Sequence, residues 1–489
     1  MEKTLKEKTT TALIWSFIDK FGQQIIYFVS GIILARTLSP NDYGLVGTLT
    51  FFIAFSNLII NSGYSRALIN RQEFSQIEYN TVFYYNIVSG AILYSILFLC
   101  APLISIFFKQ PSLTLISRLL FLTLIFNSLI NVQSVNITKR MDLKSFSKAN
   151  IISLFLASIF AVFAALKGMG AWALVIQSLL NSFFNLILYW HYSNWRPSRS
   201  FDFKILKEFF PFSSMVLLTN IISTVFNNIY SILIGRIYNI TQLGYYTQAS
   251  KYQDIPTGLV SNTFRTILGP LLSGVNDDEV RFKRILSKLM KTISFTIFPI
   301  MLGLILIGKP LFIILITEKW LTSVPIFQIL CISGIFVTMN LIIQEAILSK
   351  GRSKELLYME IAKKSLLVIL ILLTIKKGVI GLALGWTISS FLTLLLSLYL
   401  SKKINNYSFL DLAKDSFPYF MISLTLCVAA YFISLPITNN YLFLLFCTGF
   451  VGILYLFFCK LFKLEASEEM FNWIDSKLKH ASKKTNDNI

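Results

Sequence analysis

Three cations, Lys20, Lys251 and Arg265, and two carboxylates, Asp19 and Asp254, fall inside stretches of sequence with the length and apolarity of membrane spans. An ionised side chain at the bilayer centre costs about 2.5–3.5 kcal/mol on insertion scales, so such residues line water, bind cargo or neutralise one another. The cations have the chemistry to hold phosphate charge through charge-assisted hydrogen bonds. A carboxylate beside a cation can exchange that partner for a proton or a sodium ion, which makes Asp19 and Asp254 the candidates for ion coupling. The amides Gln23, Gln24, Asn57, Asn61, Asn220, Asn227, Asn228 and Asn262 are placed to satisfy cargo hydroxyls. The competing reading makes Asp19 with Lys20, and Lys251 with Asp254, structural ion pairs.

These residues recur at helical spacing. Ser16, Asp19, Lys20, Gln23, Gln24, Tyr27 and Gly31 share one face, and Thr219, Asn220, Ser223, Thr224, Asn227, Asn228 and Ser231 repeat it without charge. A third stripe, Thr247, Lys251, Asp254, Gly258, Asn262 and Arg265, runs past Pro256, which removes a backbone hydrogen bond and is the expected hinge. Together the stripes require a large, polar, partly cationic cavity. It suits a hydrophilic anionic head and not a small ion, which needs a narrow filter. Glu345 and Glu360 read as interfacial carboxylates, and Arg36, Arg236, Lys376 and Lys377 as snorkelling anchors at span ends.

The elements that must position these groups are membrane helices. The 489 residues are 55% hydrophobic and only 14% charged, too little charge to cover a soluble protein of this size. Apolar runs of about 20 residues recur along the chain, and alternating ten-residue strands are not seen, so the expected class is all-α integral membrane. Fourteen spans are expected, at 11–35, 42–63, 80–107, 112–136, 148–167, 169–191, 211–235, 243–268, 290–308, 322–348, 355–375, 378–400, 416–436 and 440–462. The first reads as a retained helix, since it lacks a small-residue cleavage site.

Of 44 Lys and Arg, 32 fall on the side of the N-terminus, nine on the other and three inside spans. By the positive-inside rule both termini are cytoplasmic, and the net charge of +20 reflects topology, not nucleic-acid binding. Cys100, Cys331, Cys427, Cys447 and Cys459 sit in or at the edge of apolar spans as small hydrophobes, with neither metal nor disulfide spacing. Asp277, Asp278 and Glu279 read as acidic residues starting a helix.

An internal duplication organises the chain. ILARTLSPNDYGLVG, Ile33 to Gly47, matches LIGRIYNITQLGYYT, Leu233 to Thr247, at an offset of 200, which pairs Arg36 with Arg236 and Gly44 with Gly244. KGMGAWAL, Lys167 to Leu174, matches KGVIGLAL, Lys377 to Leu384, at 210, and Gln133 and Lys139 match Gln344 and Lys350 at 211. Spans one to six and seven to twelve are therefore copies. Six is even, so the copies are parallel repeats about an axis along the membrane normal. The expected organisation is an N-terminal lobe at 1–200, a cytoplasmic linker at 201–212 that reads equally as an interfacial segment or an ordinary basic loop, a C-terminal lobe at 213–403, two accessory spans at 404–463 and a cytoplasmic amphipathic tail at 464–489. Met470, Phe471, Ile474 and Leu478 share one face of that tail.

The pattern formed by Leu243, Gly244, Tyr245, Tyr246, Ala249 and Pro256 resembles the signature of polysaccharide exporters in the multidrug/oligosaccharidyl-lipid/polysaccharide superfamily, most closely the Wzx-type and teichuronic-acid-type flippases. ILARTLSPNDYGLVGTLTFFIAF, Ile33 to Phe55, resembles that family's first hairpin, and Glu318, Lys319 and Trp320 its G-E-K-W segment, with Thr317 where glycine is usual. The resemblance implies a V-shaped pair of six-helix lobes, like the drug exporters and lipid II flippases of the superfamily. It also implies alternating-access transport of an undecaprenyl-pyrophosphate-linked oligosaccharide from the cytoplasmic to the outer leaflet of the bacterial inner membrane. On that reading Lys20, Lys251 and Arg265 meet the pyrophosphate. No cofactor is expected beyond coupling to protons or sodium. The expected partners are the lipid-linked oligosaccharide, membrane lipids and other polysaccharide assembly proteins, with no nucleic acid, and the chain is expected to be a monomer. The rivals are a multidrug exporter of the same superfamily and a membrane-embedded polysaccharide polymerase. Absence of a large outer loop or an acidic metal motif argues against the polymerase and against an enzyme.

Overall fold

The computed structural model describes residues 5–61, 64, 68, 75–275, 278–472 and 476. Among the described residues there are fifteen α-helices and no strand. Helices α1 (Leu5–Thr37), α2 (Pro40–Asn61), α3 (Gln76–Phe108), α4 (Leu113–Leu120), α5 (Leu122–Lys139), α6 (Leu143–Leu166) and α7 (Trp172–Tyr192) form the first repeat. Helices α8 (Phe203–Leu233), α9 (Ile240–Ser273), α10 (Glu279–Ile316), α11 (Ser323–Ser349), α12 (Ser353–Thr374) and α13 (Gly378–Asn405) form the second, followed by α14 (Phe409–Ser434) and α15 (Asn440–Leu461).

Local sequence sets where these helices start. Ser39 precedes Pro40 and exchanges hydrogen bonds with Asp42, its backbone N–H donating to Oδ2 at 2.8 Å while the Asp42 N–H donates to Ser39 Oγ at 3.3 Å. That reciprocal cap satisfies orphan donors, and proline at the first helical position has no donor to lose. Ser75 with Glu78 and Ser408 with Asp411 repeat the arrangement at α3 and α14. Asp278 accepts from the Arg281 N–H at 2.9 Å and so starts α10 as an acidic cap, while Asp277 lies outside the described residues.

Twelve segments are long and apolar enough to cross a membrane among the described residues, against the fourteen expected. One of them, Lys354–Asn405, is 52 residues long and contains both α12 and α13, joined by the short turn Ile375–Lys377. Helix α9 is outside the twelve; its 34 residues carry Lys251, Asp254 and Arg265 among several amides, which lowers its apolarity.

The duplication is visible in the backbone. Gly168 and Gly378, equivalent at the offset of 210, both turn the chain with left-handed φ, +76° and +75°. Met141 and Gly351 share that offset and are left-handed too, at +55° and +74°.

The chain divides into two compact units, Met1–Thr247 and Gln248–Ile489, with the division inside α9. In the first, α6 packs on α1 and α7, α3 on α5, and α2 on α8. One core gathers Leu49, Ile116, Phe121 and Leu124, and another gathers Val82, Phe83, Trp195, Ile205, Leu206 and Phe209. The linker segment thus buries one face against α3. Asp202 caps its helix by accepting from the Lys204 N–H at 2.8 Å, and the helix then continues through Pro211 to Leu233.

In the second unit α10 packs against α11, α14 and α15, and α13 against α11 and α12. Buried Asp415 of α14 accepts from Ser287 Oγ and from the Tyr407 hydroxyl, both at 2.8 Å, with Lys291 Nζ at 3.8 Å. Burial, reinforced by the Asp415 charge, pushes the Tyr407 hydroxyl well above its ordinary value and keeps it a donor. Lys291 also meets Glu465 at 2.6 Å and Lys288 meets Glu469 at 2.5 Å, so the start of the tail docks on α10, with Ala466 and Ser467 buried. Met470 and Phe471 are half-buried there, while Ile474 and Leu478 lie outside the described residues.

Candidate functional site

In the first unit the polar stripe of α1 is split by its own geometry. Asp19 is 4% exposed and turns into the helix bundle, where its carboxylate accepts from Gln23 Nε2 at 2.8 Å and from Asn150 Nδ2 of α6 at 3.2 Å. The Tyr189 hydroxyl of α7 completes the network by donating to Asn150 Oδ1 at 2.9 Å. Lys20 is exposed, and among the described residues it has no ion pair. Successive residues on an α-helix point about 100° apart, so Asp19 and Lys20 face different surroundings. Gln23 and Gln24 are half-buried.

Asn57 and Asn61 take up an interhelical pairing. Asn127 Nδ2 of α5 donates to Asn57 Oδ1 at 3.2 Å, and Asn131 Nδ2 donates to Asn61 Oδ1. Both pairs are spaced by four residues, one turn, on both helices, which makes a two-rung amide ladder between α2 and α5. The α8 stripe instead bonds back to its own helix. Thr219 Oγ1 donates to the Met215 carbonyl at 2.9 Å and Asn228 Nδ2 to the Thr224 carbonyl at 2.9 Å. Asn227 is exposed and Asn220 half-buried.

In the second unit, Asp254 accepts from Ser250 Oγ at 3.2 Å, and no ion pair joins it to Lys251 among the described residues. Arg265 Nε instead lies 3.8 Å from Glu345 Oε1 of α11, whose side chain is largely buried. Glu345 is thus a cation partner, while Glu360 meets Lys363 at 3.3 Å on its own helix. Asn262 is exposed. Pro256 lies inside a continuous α9, flanked by Gln253 and Thr257, whose side chains are joined at 2.5 Å. Gly334 of α11 seats against them, since a Cβ there would come 2.7 Å from Gln253 Nε2.

The duplicated hairpin makes a reciprocal contact. A Cβ on Gly44 would fall 1.9 Å from the Ile240 carbonyl oxygen, and one on Gly244 would fall 1.8 Å from that of Pro40. Pro40 and Ile240 are themselves equivalent at the offset of 200, so each copy presses its glycine on the same backbone position of the other. Arg236 is anchored nearby, donating Nη1 to the Phe107 carbonyl at 2.6 Å with its guanidinium 4.9 Å from that residue's ring centroid.

Asn150, Tyr189, Asn127 and Asn131 were not singled out by sequence reasoning. The one-turn spacing of Asn127 and Asn131, matching that of Asn57 and Asn61, was the signal that could have found the ladder. Among the described residues no group of three His, Cys, Asp or Glu side chains is placed to hold a metal ion.

The chain is 24% identical over 346 residues to the teichuronic acid biosynthesis protein TuaB of Bacillus subtilis, covering 70% of this chain and 72% of that one. It is 22% identical over 408 residues to the lipopolysaccharide biosynthesis protein WzxC of Escherichia coli, covering 82% of each. Its fold is similar to that of the lipid II flippase MurJ in an inward closed conformation, with a TM-score of 0.76 at 16% identity over 92% of this chain and 98% of that one. It is also similar to an inward-facing multidrug resistance MATE family transporter, with a TM-score of 0.59 at 13% identity over 79% and 96%. Residues 33–325, more than half of the chain and including both copies of the glycine hairpin, match the family described as polysaccharide biosynthesis protein, and the chain belongs to that family.

Proposed function

We propose that this protein is a flippase that carries a lipid-linked oligosaccharide, built on undecaprenyl pyrophosphate, across the bacterial inner membrane by alternating access. Family membership carries the reading. The side chains fit it in one respect. Lys20 and Lys251 sit on membrane helices with no ion pair to a carboxylate among the described residues, which leaves their amino groups available to the pyrophosphate. Arg265 reaches the same headgroup by exchanging Glu345 for a phosphate oxygen. The prenyl tail stays in lipid while the oligosaccharide meets amides of α1, α8 and α9.

Both termini face the cytoplasm, so the reciprocal contact of Gly44 and Gly244 lies toward the outer face and must part for the cargo to leave there. Pro256 is the hinge of that motion. Asp19 and Asp254 are the coupling carboxylates, and one charge crossing 100 mV of membrane potential supplies about 2.3 kcal/mol to a directional cycle. Partners beyond the lipid-linked cargo are other assembly proteins of the same polysaccharide.

The test is complementation of a deletion strain with leaflet-specific labelling of lipid-linked repeat units. Wild type is expected to clear the cytoplasmic pool, and Lys20→Ala and Lys251→Ala to leave it accumulated. Full rescue by both variants would remove these lysines from the mechanism. A deletion strain with no accumulation but with sensitivity to cationic drugs would assign the chain to drug export.

A further inference from the structure

The segment joining the two repeats is clamped to α3 by hydrogen bonds. Asn80, fully buried, donates Nδ2 to Ser198 Oγ and Ser200 Oγ, both at 2.6 Å, and accepts from the Ser198 N–H at 3.0 Å. The Tyr84 hydroxyl donates to the Ser198 carbonyl at 3.1 Å, and the Asp202 N–H donates to Thr81 Oγ1 at 3.1 Å. Arg199, at the centre of this clamp, is exposed and has neither hydrogen bond nor ion pair among the described residues. Neighbouring Arg196 behaves differently, since its guanidinium is spent on the carbonyls of Trp190, Ser193 and Trp195.

A groove of about 690 Å³ opens beside Arg199, between the linker and α3. Its walls are almost wholly apolar, with Tyr85, Val88 and Ile92 on one side and Phe201 and Leu206 on the other. Val88 and Ile92 are one helical turn apart, so the apolar wall runs lengthwise along α3, and Arg199 is the one charged side chain lining it. The volume is in the range of small-molecule sites.

An uncompensated guanidinium beside an apolar channel selects a ligand with an acid group on a hydrocarbon chain. Lys204 and Lys207 are exposed on the next turns of the linker with Asp202 and Glu208 beside them, so those charges offset one another and Arg199 carries the selection. The buried amide clamp holds the backbone on either side of Arg199, so only its side chain is left to order when the lipid arrives.

We propose that this groove binds one anionic phospholipid of the surrounding bilayer, with its phosphate on Arg199 and one acyl chain along Val88 and Ile92. Occupancy fastens the inter-repeat linker to α3 and makes its attachment depend on lipid composition. The site is separate from the residues assigned to cargo and does not depend on the proposed transport.

The test uses the full-length protein, delipidated in detergent and titrated with phosphatidylglycerol or phosphatidylcholine, with bound lipid counted by native mass spectrometry. Wild type is expected to retain one phosphatidylglycerol in preference to phosphatidylcholine. Arg199→Gln is expected to weaken that retention about fivefold, the effect of one surface charge on anionic lipid. Arg199→Lys should keep most of it, Lys207→Gln should leave it nearly unchanged, and Val88→Trp should lower retention of both lipids by filling the groove. Arg199 has no hydrogen-bond or ion-pair partner to lose among the described residues, and matched melting transitions establish that its variants fold. Equal retention by wild type and Arg199→Gln, or equal retention of the two lipids by wild type, would overturn the proposal. So would preferential retention of undecaprenyl pyrophosphate at a site sensitive to Arg199 and Val88, which would assign the groove to the polyprenyl carrier.

Discussion

Single charged side chains differ in how far the fold itself engages them. Asp19 is enclosed by Gln23 and Asn150, and Asn150 is in turn held by Tyr189. Asn150→Ala removes one of the two donors to the carboxylate and strands the tyrosine hydroxyl, and a buried polar group left unmade costs about 1–3 kcal/mol. A lowered melting temperature in detergent is the expected result. Lys20→Ala, at an exposed position with no partner to strand, should change stability by no more than about 0.5 kcal/mol, while the transport assay reads its role. Thr317 offers a gain. Its φ of +76° with ψ of +167° belongs to a region populated almost only by glycine, and it caps the end of α10. Thr317→Gly should relieve about 1–3 kcal/mol of backbone strain and raise the melting temperature.

At the level of elements, the first turns of α2 and α9 meet at a distance that only glycine permits. Gly44→Ala or Gly244→Ala puts a methyl group inside a backbone carbonyl, and the carbonyl cannot move aside as a flexible side chain would. Overpacking of this kind costs about 1–3 kcal/mol or forces the helices apart. The two variants should have similar effects, because the contact is reciprocal. Thermal melting together with crosslinking of cysteines placed at Pro40 and Ile240 reads both outcomes; unchanged melting and crosslinking in both variants would show that the contact is not close in solution. The cysteine background is favourable, since Cys331, Cys427, Cys447 and Cys459 are buried and only Cys100 is partly accessible.

For the whole molecule, the repeats and the charge distribution determine topology together. An even number of spans per repeat keeps both copies in one orientation, and the excess of Lys and Arg on the N-terminal side predicts that this side faces the cytoplasm. Reporter fusions at both termini should therefore be active only as cytoplasmic reporters, and outer-face signals at both termini would put the contact of Gly44 and Gly244 toward the cytoplasm.

The membrane class, the duplication and the acidic start of α10 were readable from the sequence because each rests on local information, whereas α6, α8, α10 and α14 begin five to eleven residues before the spans expected there. A span closes its backbone hydrogen bonds within itself, a cap needs only residues three apart, and a repeat is a comparison of the chain with itself. Partner choice between helices was not readable, because it depends on how each helix is rotated and which neighbour it meets. Lys251 and Asp254 share a face at a spacing of three and form no ion pair among the described residues, whereas Arg265 finds Glu345 on another helix. Asn57 and Asn61 look equally suited to a cavity in the sequence, and the tertiary structure commits them to Asn127 and Asn131. The sequence by itself determined that polar groups must be placed inside the membrane; only tertiary packing decided which of them are consumed by the fold and which remain free to act.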